Sequence, residues 1–177
     1  HNTGATYAIS LSGSTSITAG TGVTLESLND NTGTIALLSS GGIDGGSGTV
    51  LMRAANYAFG GADRTITTTG VLTIEPDADE NSFASSFDNQ YLNPVSVTGL
   101  TLGKSSNASA ITLSRAISLS GPVSIYGGSI DVNANITANS GNILLDADTG
   151  STLNQSSTGI LLDDVITIET VTSGNLT

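Results

Sequence analysis

The chain has 177 residues, 22 glycines, no cysteine and a formal net charge of −11. This length suggests one domain, the lack of cysteine excludes disulfides and thiolate metal sites, and the negative charge argues against a nucleic-acid partner because phosphates would be repelled. Apolar residues reach 37%, more than disordered chains usually carry, yet no apolar run approaches the roughly 18 residues that span a bilayer, so we expect a folded, β-rich protein without membrane insertion.

Short apolar alternations follow glycines in the first part of the chain. They read GVTL, GTIAL, GTVLM and GVLTI, and begin at Gly22, Gly33, Gly48 and Gly70. Alternation over three to five residues is typical of very short strands, and a preceding glycine supplies the positive φ that a sharp corner needs. We predict that residues 1–75 form the N-terminal coils of a repetitive β-structure.

Residues 76–94, PDADENSFASSFDNQYLNP, break this rhythm. The segment is acidic, is bounded by prolines and lacks alternation. Phe83, Phe87 and Tyr91 are four residues apart, a spacing compatible with one or two helical turns laid over the rest of the protein. We predict an irregular excursion loop between two groups of coils.

The same segment contains a candidate calcium site. Asp77, Asp79, Asn81 and Asp88 fall at positions 1, 3, 5 and 12 of an EF-hand-like loop, and calcium binds several oxygens on such a loop. However, Ser82 stands where that loop needs glycine, Asp88 replaces the longer glutamate, and no flanking helices are apparent. A solvated acidic loop is the competing interpretation, and calcium is the only cofactor that the sequence suggests.

The period of the structure is clearest in the C-terminal part, residues 95–177. Val123, Ile130 and Ile136 begin three consecutive short strands, and Ile143 restarts the series 20 residues after Val123. Three short strands per coil of roughly 20 residues, stacked on the next coil, define a parallel β-helix, or β-solenoid. The runner-up fold, an antiparallel β-sandwich, needs longer strands and wider turn spacing. We predict one all-β solenoid domain over the whole chain.

The residues that could perform catalysis are few. The only histidine is His1, which excludes a Ser-His-Asp triad. Asp163 and Asp164 superficially resemble the paired acids of polygalacturonase-like β-helix enzymes, but the accompanying basic and histidine motifs are missing. Polysaccharide lyases need a basic residue near bound calcium, and neither Lys104 nor Arg115 has a clear acidic cluster in sequence. We predict a non-enzymatic protein, with a carbohydrate-active enzyme as the minor alternative.

Tyr126 and a set of asparagines have other potential roles. Tyr126 is followed by Gly127 and Gly128, so its ring is a candidate platform for stacking a sugar; covering a corner of the coil is the alternative. In solenoids, asparagine side chains bond backbone groups at corners. We expect this structural role for four asparagines, with a carbohydrate-contacting strip as the alternative: Asn133, Asn135, Asn139 and Asn142.

Four pieces of the chain are similar to a known repeat: LTIEP (72–76), VTGLTLGKSSNASAITL (97–113), ISLSGPVSIYGGSIDVNANIT (117–137) and GNILLDA (141–147). Together they make the run from Val71 onwards resemble the β-helical repeat region of giant secreted bacterial adhesins of the filamentous-haemagglutinin-like type. The resemblance implies a right-handed parallel β-helix, export to the bacterial cell surface, and service as a stalk or adhesive fibre. It implies no catalytic residues.

These observations predict a structural and adhesive module of an extracellular or cell-surface protein. Its expected partners are neighbouring β-helical repeats or identical subunits placed end to end, and glycans or extracellular matrix. Neither HNTGATYAISLS nor VITIETVTSGNLT looks like the capping element that usually covers a solenoid edge. A self-assembling filament subunit is therefore the alternative function.

Overall fold

The structure is a computed structural model that describes residues 9–27, 32–38, 41–60, 63–77, 80–147, 159–172 and 174–177. In these ranges every regular element is a β-strand, and no helix occurs. The strands are β1 (Ile9–Leu11), β2 (Ile17–Thr18), β3 (Val23–Ser27), β4 (Thr34–Leu37), β5 (Ile43–Asp44), β6 (Val50–Ala54), β7 (Asn56–Phe59), β8 (Arg64–Thr67), β9 (Val71–Glu75), β10 (Phe87–Asp88), β11 (Leu92–Val95), β12 (Gly99–Leu102), β13 (Ile111–Leu113), β14 (Ile117–Leu119), β15 (Val123–Gly127), β16 (Ser129–Val132), β17 (Ile136–Ala138), β18 (Ile143–Ala147), β19 (Gly159–Leu162) and β20 (Ile168–Thr170).

Every third strand pairs with the next in parallel, which makes the protein a β-solenoid. The longest sheet has the order β18-β15-β12-β9-β6-β3, so five turns separate its first strand from its last. Its register places one inward side chain above another on six coils: Val23, Val50, Leu72, Leu100, Val123 and Ile143. The predicted all-β solenoid with three strands per coil is confirmed, and the β-sandwich alternative is wrong.

The other two strands of each coil form interrupted sheets. The first strands make the sheets β1-β4-β7 and β10-β13-β16-β19, and the second strands make β2-β5-β8-β11 and β14-β17-β20. Coil length also varies. Val123 and Ile143 are 20 residues apart, as predicted, but Leu72 and Leu100 are 28 apart because the intervening corner is longer. Corners therefore absorb differences in length while the strands keep their register.

The core is a stack of aliphatic side chains that point inward at alternate positions. Along β15 the burial alternates, with Val123 and Ile125 fully buried and Ser124 and Tyr126 partly exposed. The same alternation recurs in β6, β9 and β16. Full burial of one such side chain contributes roughly 1.5–3 kcal/mol, so stability accumulates coil by coil.

The segment predicted as an excursion is partly built into a coil. Phe87–Asp88 forms β10 and pairs with β13, while Leu92–Val95 forms β11 and pairs with β8. The four-residue spacing of Phe83 and Phe87 suggested helical turns, but the described part of this segment contains none. Both rings are only 4% exposed and point into the solenoid.

Four aromatic rings fill the interior where the first-strand sheets are interrupted between β7 and β10. Their centroids lie 5.6–6.1 Å apart in stacked and edge-to-face pairs: Tyr57, Phe59, Phe83 and Phe87. The Tyr57 hydroxyl lies 2.8 Å from the Met52 carbonyl oxygen and 2.9 Å from that of Glu75. Burial raises the pKa of Tyr57 well above its ordinary value. Bulky rings thus replace the aliphatic stack where strand pairing fails.

We expect Ile125→Ala to lower the free energy of unfolding by about 2–5 kcal/mol, because it removes fully buried methylene groups from the middle of the stack. The matched control is Ser124→Ala on the outer side of the same strand, which should change stability by no more than about 0.5 kcal/mol. Urea unfolding of both variants measures the difference. Equal effects at the two positions would contradict the inward assignment of Ile125.

Candidate functional site

The segment that carries the calcium candidates runs alongside the next coil. At its start the carbonyl oxygen of Asp77 accepts a hydrogen bond from Lys104 Nζ at 3.0 Å, and at its end Asp88 lies opposite Thr112 in the β10–β13 pair. Lys104 and Thr112 stand at opposite ends of the corner between β12 and β13. An EF-hand-like loop instead brings its first and last ligands to one ion. The structure does not gather Asp77 and Asp88 in that way.

The individual candidates have different surroundings. Asp77 is 2% exposed, and its Oδ1 has no hydrogen-bond partner in the described structure. Asn81 is exposed, and Asp88 is exposed with its Oδ1 accepting a hydrogen bond from the Gln90 amide at 2.9 Å. Asp79 lies outside the described residues. Within the described ranges no group of three or more His, Cys, Asp or Glu side chains is placed to hold a metal ion. Calcium binding stays a prediction.

Tyr126 lies on the outer side of the longest sheet and is partly exposed. Its neighbour on the next coil is Asp146, in register on β18. On the preceding coil the equivalent position, after the Leu102–Ile125 pair, is Gly103, where a Cβ atom would collide with the Tyr126 carbonyl oxygen. The ring therefore stands beside a residue without a side chain and a residue with a carboxylate. An aromatic ring next to a hydrogen-bond acceptor suits contact with a sugar.

The residues considered for polysaccharide cleavage are engaged separately. Asp163 and Asp164 are exposed, and the Asp164 amide donates to Asp163 Oδ1 at 2.7 Å. Lys104 Nζ donates to a backbone carbonyl, as described above. Arg115 forms a two-point contact with Asp63, at 2.5 Å from Nη1 to Oδ1 and 2.9 Å from Nη2 to Oδ2. Both cations thus connect coils, and neither lies in a contact with the acid pair.

A charge ladder crosses the outer side of the longest sheet. Glu26, Arg53 and Glu75 lie in register on β3, β6 and β9. Arg53 donates through Nη1 to Glu26 at 2.9 Å and through Nε to Glu75 at 2.5 Å. The hydrogen bond with Glu75, then that with Glu26, raises the pKa of Arg53. Because the ladder is partly exposed, its contribution to stability is modest. The sequence analysis missed it, since these residues are neighbours only once the coil register is known.

Asparagine side chains bond backbone groups at the corners. Asn135 Oδ1 accepts from the Thr167 amide at 2.8 Å, and Asn142 Oδ1 accepts from the Asn175 amide at 2.9 Å. The predicted structural role is confirmed for these two. The sequence analysis missed Asn107, which is fully buried and donates through Nδ2 to the Tyr126 carbonyl oxygen at 2.8 Å. Its position in the turn after β12 was the available signal.

The last coil carries most of the exposed apolar surface of the described structure. Seven large apolar side chains are exposed in the described ranges, and Leu38 is the only one of them outside this region. The other six are Ile160, Leu161, Leu162, Val165, Val171 and Leu176. At the opposite edge Ile9, Leu11 and Ile17 are partly buried and pack against the core. Apolar side chains therefore occupy both edges of the stack.

A shallow, open groove of about 170 Å³ crosses the outer side of β2, β5 and β8. Ser16, Thr18, Asp44, Thr65 and Thr67 are among its lining residues. Thr18, Asp44 and Thr67 lie in register on three successive coils. The groove therefore presents hydroxyl groups and one carboxylate to the solvent.

Comparisons with known proteins returned no match for this chain among family models, curated proteins or solved structures. In the described ranges, no helix is long and apolar enough to cross a lipid bilayer. The functional proposal therefore rests on the contacts and surfaces described above.

The pair of Asp63 and Arg115 predicts a pH effect. Hydrogen bonds from Arg115 lower the pKa of Asp63, so the pair stabilises the fold above the unfolded pKa of about 3.9 and loses this contribution as pH falls through the lowered folded pKa. We expect Arg115→Met to return the Asp63 pKa to its ordinary range and to destabilise the protein near neutral pH.

Carboxyl titration by NMR measures the first effect, and urea unfolding near pH 7 and below about pH 3 measures the second. The stability difference between Arg115→Met and the native protein should disappear in acid. Asp63→Asn is the matched control, because it should show the same loss near neutral pH. An Asp63 pKa that is unchanged by Arg115→Met would contradict the assigned contact.

Proposed function

We propose that this chain is a non-enzymatic structural and adhesive module of a secreted bacterial cell-surface protein, where it serves as a segment of a stalk or fibre. The observation that carries the proposal is the uninterrupted parallel stack from β3 to β18, in which each coil is bonded to the next. The resemblance of residues 72–147 to adhesin repeats supports the bacterial surface and the adhesive role.

The proposed mechanism is mechanical. Backbone hydrogen bonds between coils run along the axis of the stack, as in Ile117 N to Asn135 O at 2.9 Å and Gly128 N to Ser109 O at 3.0 Å. The six strands of the longest sheet extend over about 24 Å, at about 4.8 Å per step. Such a body acts as a spacer, because bending it would break ladder bonds and separate stacked side chains.

Two polar surfaces support the adhesive role. Tyr126 with Asp146 offers a ring and a carboxylate, and the groove across β2, β5 and β8 offers a row of hydroxyl groups. Glycans and extracellular matrix are the proposed ligands, since sugars are recognised by ring stacking and hydrogen bonds to their hydroxyls. The negative charge of the chain suits a protein exposed to the extracellular solvent.

The first test measures turnover. We expect no release of reducing ends or unsaturated products when the protein is incubated with acidic polysaccharides, with calcium or with chelator. The control is the double variant Asp163→Asn, Asp164→Asn, which removes both carboxylates considered for cleavage. Turnover by the native protein that the double variant lacks would establish the carbohydrate-active alternative and overturn the structural proposal.

The second test concerns the sugar platform. On an array of immobilised glycans we expect Tyr126→Ala to reduce binding by about 5- to 100-fold, corresponding to the loss of roughly 1–3 kcal/mol of ring contact. Tyr126→Phe is the matched control, because it keeps the ring and should keep most of the binding. If the two variants bind as strongly as the native protein, Tyr126 does not contact the glycan.

The exposed apolar side chains of the last coil favour a second candidate function. An uncovered solenoid edge presents unpaired backbone groups as well as apolar surface, and both are satisfied when another coil stacks on it. A filament subunit that stacks end to end would use these edges as its functional surface.

A further inference from the structure

The two edges of the described stack share one sequence pattern. The first coil reads ISLSGSTSI from Ile9 to Ile17, and the last coil reads ILLDDVITI from Ile160 to Ile168. Both have isoleucine, one residue, leucine, five residues and isoleucine. In the coil that precedes the last one, the matching isoleucines are Ile130 and Ile136, which are only six residues apart. The last coil thus has the spacing of the first coil and not that of its own neighbour.

The corners of these two coils also have the same conformation. In each, a strand is followed by one residue, a two-residue turn, two further residues and the next strand. The turn lies at Gly13–Ser14 in the first coil and at Asp164–Val165 in the last. The two edges therefore have the same shape on the side where β1 leads to β2 and β19 leads to β20.

The chain already contains a junction between two coils of this pattern. The second coil repeats it with Ile35, Leu37 and Ile43, and these three residues pair in register with the same positions of the first coil: Ile9, Leu11 and Ile17. Two coils of this pattern thus stack directly on one another. A first coil placed on the last coil of another copy would repeat this junction.

The third strand of the coil fits within the tolerance that the solenoid shows. In the first coil Ile17 and Val23 are six residues apart, whereas in the last coil Ile168 and Leu176, which bridges to Ile143, are eight apart. The same difference, six against eight residues, separates the two adjoining coils at the C-terminal end. A corner longer by two residues is therefore compatible with stacking.

Charge favours a head-to-tail arrangement of copies. Residues 9–25 contain no charged side chain, while the last coil carries Asp163, Asp164 and Glu169. Joining two C-terminal edges would bring three acids against three acids. Joining a C-terminal edge to an N-terminal edge avoids this repulsion and keeps all strands parallel.

We propose that the last coil of one copy of this chain binds the first coil of another, with Ile9 above Ile160, Leu11 above Leu162 and Ile17 above Ile168. The contact joins two different surfaces by a step along the axis, so it does not close into a ring and generates a filament one chain thick. This proposal rests on the proposed function as a rod and names the partner of its exposed edges.

The test uses a pair of complementary variants. Leu162→Glu places a charge on the C-terminal edge, where the native side chain is 54% exposed, and Leu11→Lys places the opposite charge on the facing position of the N-terminal edge. Each variant alone would bury an unpaired charge at every junction, which should weaken association by about 100-fold or more. A mixture of the two offers junctions that are either native or paired as Glu with Lys.

The matched control is Ser118→Glu, which adds the same charge to an exposed position of β14, away from both edges. Electron microscopy and sedimentation over a concentration series measure assembly, and circular dichroism checks that each variant is folded. We expect filaments for the native protein and the control, separate short rods for each edge variant, and filaments again in the mixture.

Other outcomes separate this inference from the function that it rests on. Short separate rods of the native protein at all concentrations would overturn head-to-tail stacking and leave the rod function intact. Filaments that persist in both edge variants, or that the mixture does not restore, would show that another surface makes the contact. Native protein that forms no compact rod at all would overturn both proposals.

Discussion

The stacking of each inward aliphatic side chain on its counterpart in the next coil is the constraint that organises this molecule. A slip of one residue in any strand would turn its apolar side chains to the solvent, so the register is fixed wherever the core is buried. Corners face no such demand, and successive coils range from 20 residues, between Val123 and Ile143, to 28, between Leu72 and Leu100. The fold therefore tolerates variable corners, and these are where polar side chains are placed.

Polar groups enter the interior where the backbone leaves the ladder. A corner has amide and carbonyl groups that no neighbouring strand can bond, and a buried group without a partner is costly. Asn107, fully buried, bonds such groups from the side. Arg64, 1% exposed, donates through Nε to the Leu37 carbonyl oxygen at 2.6 Å, although its Nη1 has no partner within the described structure. These residues compensate corners in the same way that aliphatic stacking stabilises strands.

Strand positions and the coil period of the C-terminal part could be predicted from sequence, because alternation reports directly which side chains point inward. The segment 76–94 was harder, since Phe83 and Phe87 are spaced like a helical face and only the register of β10 shows that they fill the core. Contacts that depend on coil length were out of reach. Arg115 and Asp63 are 52 residues apart, and nothing local marks them as neighbours.

All four Lys and Arg residues of the chain connect one coil to another. Arg53 bonds Glu26 and Glu75, Arg115 bonds Asp63, and the remaining two, Arg64 and Lys104, donate to backbone carbonyls of other coils. Most of the 15 acidic residues are left without a cation, so the sides of the solenoid carry net negative charge. Copies that approach side by side therefore repel each other, whereas the first coil is uncharged and apolar side chains face it from the last. The same charge distribution that keeps the sides apart directs association to the edges of the stack.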